Sequence, residues 1–529
     1  MTADIDVDAG KTPGSGLGVR HVITALLFLG TTCGYASRVS MSVAILAMTE
    51  ENEHGYEVFD WDRSHKDIIL SSFFSNHQPF HSLCCRSSAN ICRLTHSPLF
   101  PQVFDWDRSH KDMILSSFFW GYVVLQVPAG LAAARLGGKT PAFLAILSNG
   151  VLNLLVPLAA TYGGWIAVIV CRVLMGLGQG LLYPSLHGLL GRWAPRAERS
   201  RMGTIVYCGA QVGTIIEMMV SGVLSASSWG WPSVFYTTGV AGVAWAALWL
   251  AVGSSSPADS RWISDEERQY IEMNCGGHDE EERKGLRTPW KKIWTSLPFL
   301  SVVLAHAGQS LGFWTLLTEM PTYMKNVLNV DIKNSALYSA LPYIAMCLLS
   351  FVFSWLADLL VNRGVLGVTA SRKLFNTIAF WGPALALLGL CYLPREHELL
   401  AVALLTATVG LNGAHFVGFL ISHIDLSPNY ASTLMGITNG IGNVFSIMAP
   451  LSVTLVVKDE TDAAEWRNVF FISIAFYFLS NLFYIIFMVA EVQPWNDPNP
   501  TNNLEIGTKK KGLTNETRRR PSIGDNQFN

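Results

Sequence analysis

Charge is what this sequence has least of. Only 14% of its 529 residues are Asp, Glu, Lys or Arg, against about 25% in a typical soluble domain. That is too little to cover the surface of a water-soluble globule of this length. The net charge of −2 leaves no electrostatic footprint for a nucleic-acid partner. Cysteine pairing is absent too: the nine cysteines include no CxxC and no metal-ligand spacing. Cys171, Cys208, Cys347 and Cys391 lie inside apolar runs, where an unpaired buried thiol is the ordinary state. There is no HExxH, no Walker loop, no Ser-His-Asp arrangement and no carboxylate pair in a catalytic context. The sequence therefore implies neither an enzyme nor a cofactor or metal site. No cleavable signal peptide is evident, because the first apolar run, from about His21, is too long for a signal core and is expected to stay as a helix.

What is present is apolar length. Half of the residues are hydrophobic, with 45 Gly, 17 Trp and 27 Phe, a mixture that suits close-packed transmembrane helices with aromatic belts. Runs of roughly 20 apolar residues, enough to cross a bilayer, recur twelve times. They fall near 21–49, 112–134, 140–160, 164–190, 203–226 and 234–253, then 298–320, 335–360, 373–393, 398–422, 433–457 and 467–490. The expected fold is an all-α membrane protein of twelve transmembrane helices in two six-helix halves. Its expected parts are an N-terminal tail (1–20), a first half (21–253), a polar central loop (254–297), a second half (298–490) and a C-terminal tail (491–529). Lys and Arg collect in alternate loops: Arg135 and Lys139; Arg192, Arg196, Arg199 and Arg201; the central loop; Arg363, Arg372 and Lys373; and the tail. Loops 161–163 and 227–233 carry none. Twelve spans put all the basic loops, and both termini, on the cytoplasmic side. The sequon at Asn515 is then cytosolic and unglycosylated. A monomer in a lipid bilayer is expected.

One segment is anomalous. Residues 58–74 read VFDWDRSHKDIILSSFF and residues 103–119 read VFDWDRSHKDMILSSFF, differing only at Ile68 and Met113. No fold requires such a copy at that distance. The second copy runs on into a proper span, so 58–102 reads as a duplicated or spurious insertion in the first outer loop; a genuine isoform with an enlarged loop is the alternative. Its Cys84, Cys85, Cys92, His81 and His96 match no metal-site spacing.

Ionisable residues at membrane depth are costly and usually functional. Arg38 lies about 16 residues, or about 24 Å, into the first run. A guanidinium there offers a bidentate fork to a carboxylate or phosphate; the alternative is a structural pair with an acid such as Glu217. Arg172 opens CRVLMGLGQGLLYPSLHG. Gly176, Gly178 and Gly180 in that stretch let a neighbouring backbone approach closely, and Gln179 sits on the face of Arg172. His187 is either a proton relay or a histidine bonded to a backbone carbonyl at the cytoplasmic mouth. Glu217 is the carboxylate clearly inside a first-half span, placed to bind a coupling cation or to pair with an arginine. Asp358, near a helix end beside basic residues, suits a gate contact. His306, His415 and His423 are polar lining candidates.

These stretches resemble a known family. LGGK at 136–139, RVLMGLGQG, YPSLH, RWAPRAERSR, YCGAQVGT, SALPYIAMCLLSFVFSWLAD, SHIDLSPNYASTLMGITNGIGN and EWRNVFFISIAF are similar to the sialin-type branch of the major facilitator superfamily. That branch holds sialin, sodium/phosphate cotransporters and vesicular glutamate transporters. The resemblance covers about 20–58 and 103–495. It implies the twelve-helix fold, alternating access and small anionic substrates coupled to Na⁺, H⁺ or membrane potential. Arg38, Arg172, His187 and His423 match arginine and histidine positions of the family. Gln309, Tyr207 and His306 are expected to shape the substrate pocket with the two arginines, and Glu217 or His187 to couple the cation. The chain also departs from the family. Met175 and Gln179 stand where sialin has glutamates linked to proton coupling. Gln309 replaces an arginine of the glutamate transporters, and Ala134-Arg135 replaces an Asp-Arg pair. The functional expectation is a secondary active anion transporter. A transporter-like sensor or scaffold is the alternative. The membrane is expected to be the plasma membrane or a lysosomal or vesicular one.

Overall fold

A computed structural model describes residues 18–49, 104, 106, 108–225, 227, 229–275, 287–327, 332–394, 397–459 and 461–497. The duplicated segment 58–102, the acidic run 279–282 and Asn515 lie outside them. Sixteen α-helices and no strands are found among the described residues. The first half holds α1 (Val19–Thr49), α2 (Arg108–Val124), α3 (Gln126–Leu136), α4 (Lys139–Gln179), α5 (Leu182–Trp193), α6 (Arg199–Ser225) and α7 (Gly230–Val252). The connection between the halves carries α8 (Asp265–Cys275) and α9 (Trp290–Trp294). The second half holds α10 (Leu297–Asn326), α11 (Ile332–Asn362), α12 (Val368–Cys391), α13 (Glu398–Asn412), α14 (Phe419–Leu426), α15 (Ala431–Val456) and α16 (Ala463–Phe487).

Nine of the described helical stretches are long and apolar enough to cross a membrane, and the bent pair α2–α3 makes a tenth. One of the nine, Lys139–Trp193, is 55 residues long, about twice what a bilayer needs. Gly164, at φ 61°, divides it. Asn149 donates to the carbonyl of Met175 and Ser148 abuts Gly178, contacts that only antiparallel limbs on either side of Gly164 permit. These two limbs and the 26-residue α15 complete the twelve spans.

The other breaks have equally local causes. α2 and α3 meet at 49° because Pro128, in the first turn of α3, removes an N–H and its ring crowds the carbonyl four residues back. The expected run 164–190 is not one helix. It stops at Gln179 and resumes at Leu182, among Gly178, Gly180 and Pro184, so His187 is not in continuous helical phase with Arg172. The expected run 398–422 breaks between α13 and α14. There the backbone of Gly413 lies against Met346 and Asn376 accepts the Phe419 N–H at 3.1 Å.

The glycines after Arg172 bring backbones together as expected. Gly176 lies against Phe118 and Tyr122, and Gly121 against Val173, leaving no room for a Cβ between α2 and α4. The central stretch is more ordered than a plain polar loop. Glu267 of α8 accepts the N–H groups of Val19 and Arg20 (2.9 and 3.1 Å) and caps α1.

Candidate functional site

Arg38 and Arg172 are neighbours. Arg172, 2% exposed, donates from Nη1 to the Arg38 carbonyl at 3.2 Å, and its Nε has no partner. Arg38 is ringed by aromatics: its guanidinium carbon lies 4.6 Å from the ring centre of Phe119, 5.3 Å from Phe118 and 5.5 Å from Tyr35 and Tyr122. Phe118 also lies 5.0 Å from the Arg172 guanidinium. Cation–π contacts are each worth about 0.5–2 kcal/mol, and they hold the two side chains without cancelling their charge. Neither arginine makes an ion pair with a carboxylate among the described residues. Glu217 is buried elsewhere, accepting from Ser221 (2.8 Å) and Thr238 (3.0 Å) on α6 and α7. The Arg38–Glu217 pair considered from sequence does not form.

Between these arginines and the face carrying the basic loops, here the basic face, lie three layers. The first is aromatic. The Tyr35 and Tyr183 hydroxyls are 3.0 Å apart, Tyr183 stacks on Tyr207, and Tyr207 stacks on Phe416 of the second half. Tyr207 is fully buried, so it belongs to this floor.

The second layer is imidazole. Nε2 of His187 lies 2.9 Å from the Leu420 carbonyl, across the seam between halves, and Nδ1 lies 2.9 Å from the Tyr207 hydroxyl. Nδ1 also lies 3.2 Å from the Tyr183 carbonyl, so each ring nitrogen faces a backbone acceptor. The His187 and His423 rings are 5.1 Å apart, and His306 is 6.4 Å from His423. His423 is tied to the Leu420 carbonyl and Thr438 (2.9 and 2.7 Å), and His415 to the Asn412 carbonyl. Gln309 is engaged within the second half, exchanging amide hydrogen bonds with Asn412 (2.6 and 2.8 Å).

The third layer is ionic. Asp425 receives Arg199 of the first half and Arg372 of the second, each at 2.7 Å. Arg372 also donates to Ser200 across the seam (3.0 Å). Asp358 accepts the Arg201 side chain at 3.1 Å and its backbone N–H at 3.0 Å, the gate-type contact that its position suggested. A small cavity opens among Arg196, Arg199, Asp358, Arg372 and Asp425; it belongs to this ionic layer. Arg20, wholly buried, bridges Glu198 and Glu267 at 2.8 and 3.0 Å.

Sequence reasoning missed Asp425, Asn439 and the aromatic ring around Arg38. Asp425 was legible as a charge inside the quoted SHIDLSP segment. Asn439 was not: it donates across the seam to Tyr122 (3.0 Å) and Gln126 (2.8 Å), a pairing that only the fold creates. Cross-seam hydrogen bonds thus run from the basic face up to the level of Tyr122. Within each half, α1 packs against α6, α7 and α4, and α10 against α15, α16 and α14.

Two helical bundles, joined by polar layers across a membrane-spanning seam, with uncompensated charge above them, define a polytopic membrane carrier. The chain belongs to the major facilitator superfamily: the family model of that description matches residues 27–450. It is 37% identical over 480 residues to the "Putative inorganic phosphate cotransporter" of Drosophila ananassae, covering 90% of this chain and 93% of the relative. It is 37% identical over 504 residues to human vesicular glutamate transporter 2, covering 93% and 78%. Among solved structures it resembles a proton:xylose symporter bound to 6-bromo-6-deoxy-D-glucose, with a TM-score of 0.59 at 16% identity over 89% of this chain and 98% of the other. At that identity the likeness speaks to the fold alone. The relatives are membrane transporters, not enzymes.

Proposed function

We propose that this protein carries small organic or inorganic anions, phosphate, sialic acid or an acidic metabolite, by alternating access coupled to Na⁺ or H⁺. The single observation that carries the reading is the pair of guanidiniums at residues 38 and 172. Two adjacent positive charges inside a bilayer, with no carboxylate on either, are unfavourable. A bound anion removes that cost and gains bidentate, charge-assisted hydrogen bonds. The names of the phosphate and glutamate relatives support the same class of substrate. Tyr35, Tyr122, Tyr183 and Tyr207 form the floor of the pocket, and His306 and Gln309 stand on the second-half side. The basic face is cytoplasmic, and the conformation described is closed there, so the arginines are reached from the opposite side. Opening requires the bonds of His187 to Leu420, of Arg199 to Asp425 and of Arg201 to Asp358 to break. Glu217, buried with only two hydroxyls for company, is the coupling carboxylate.

The test is uptake of labelled inorganic phosphate, L-glutamate and sialic acid into vesicles holding the purified protein, with pH and Na⁺ varied separately. Saturable uptake of at least one anion, driven by one of the two gradients, is expected. Saturable binding without uptake under any gradient would replace this reading by the sensor or scaffold.

A further inference from the structure

Cysteine plays no part in the transport reading, yet two cysteines from opposite halves meet at the seam. Cys208 of α6 is fully buried. Its Sγ lies 3.1 Å from the Ser350 hydroxyl of α11. Ser350 is one turn beyond Cys347 and donates to the Cys347 carbonyl at 2.7 Å, so the two side chains share a helix face. The Cys208 and Cys347 side chains are thereby direct neighbours across the seam, one on each half. The Arg201–Asp358 pair, about two turns from Cys208 on α6 and about three turns from Cys347 on α11, fixes the register of the two helices toward the basic face. Gly413 packs on Ser350 and Met346 from the other side. Both cysteines are free thiols, Cys347 only half-buried.

We propose that Cys208 and Cys347 are an oxidative modification site, at which a disulfide joins the two halves and holds the basic face shut. The oxidant is a hydroperoxide. Cys347, the more accessible, attacks the terminal peroxide oxygen as thiolate; the O–O bond breaks, the alcohol leaves with the thiol's proton, and Cys347 becomes a sulfenic acid. The Cys208 sulfur then attacks the Cys347 sulfur, and its proton leaves with the hydroxyl as water. Two thiols and one hydroperoxide give one disulfide, one alcohol and one water. The product needs Cα atoms about 4.4–6.8 Å apart, a separation that ends when α6 and α11 part. A thiol reductant reverses the modification.

The site itself is independent of the proposed function; only its consequence for transport rests on that reading. The full-length protein in vesicles is exposed to hydrogen peroxide, alkylated, digested and searched for a peptide linking residues 208 and 347. The linked peptide is expected in the wild type and absent from Cys208→Ser and Cys347→Ser. Phosphate uptake, or uptake of whichever labelled anion the screen returns, should fall at least tenfold on oxidation and recover with dithiothreitol. The two serine variants should keep full uptake and ignore peroxide. Two free thiols after oxidation sufficient to modify surface cysteines would overturn the site, as would uptake loss that persists in both serine variants without the link. A linked peptide with undiminished uptake would confirm the site and refute instead the parting of the halves at this face.

Discussion

The molecule holds two sets of buried arginines, and their surroundings are opposite. At the basic face Arg199 and Arg372 share Asp425, Arg201 takes Asp358, and Arg20 takes Glu198 and Glu267. In the bilayer interior Arg38 and Arg172 have aromatic rings and one backbone carbonyl, and no acid among the described residues. The same side chain is a fastener where the protein supplies its counter-charge and a binding group where it does not. The difference follows from chain order. The gate arginines sit at or near helix starts, where Asp425, Asp358 and Glu267 on neighbouring helices and Glu198 in a turn reach them. Arg38 and Arg172 sit in the middle of spans, where Glu217 is the first-half carboxylate at comparable depth, and it is spoken for by Ser221 and Thr238.

The sharpest way to break this contrast is to truncate the unpaired set. Arg172→Ala or Arg38→Ala should cut anion uptake by about thirtyfold or more with membrane insertion unchanged, in line with about 2–5 kcal/mol for losing one member of a buried charged pair. Arg38→Lys should retain only a small part, because an ammonium lacks the planar fork. Wild-type uptake in either alanine variant would erase the distinction. Next is the paired set. Asp425→Asn leaves Arg199 and Arg372 facing each other and should favour the open basic face by roughly 3 kcal/mol, about a hundredfold in population. A cysteine placed at Ser200 should then react faster with an impermeant alkylating reagent applied from that side; an unchanged rate would deny Asp425 a gating role. Glu217→Gln should leave folding intact and alter the response of uptake to pH or to Na⁺ by several-fold. If neither dependence moves, Glu217 is structural. Removing 58–102 should leave uptake the same or better, and a correctly inserted but inactive product would show that segment to be genuine.

How much of the contrast was readable in the sequence varies by residue. The spans, the two halves and the glycines that seat α4 on α2 follow from hydropathy and residue size, which act locally. Arg38, Arg172 and Glu217 stood out because charge inside an apolar run is conspicuous. What sequence alone does not carry is which distant side chain satisfies which. Gln309 seeks Asn412, Asn439 seeks Tyr122, and Asp425 collects arginines from α6 and α12; each pairing joins segments far apart in the chain. The continuous helix expected through 164–190 breaks after Gln179 because the backbone cost of Gly178, Gly180 and Pro184 together outweighs the apolar pattern that suggested it. The helical content of the central stretch was missed because α8, rich in Asp and Glu, has no apolar stripe wide enough to announce itself.

The most direct measurement is equilibrium binding. Labelled phosphate, or the anion that the uptake screen returns, is titrated against the purified wild type, Arg38→Ala, Arg172→Ala and the gate variant Arg201→Ala. Saturable binding lost in the first two variants and kept in the third is the predicted result. Equal affinity in all four would contradict the assignment of the unpaired arginines as the anion site.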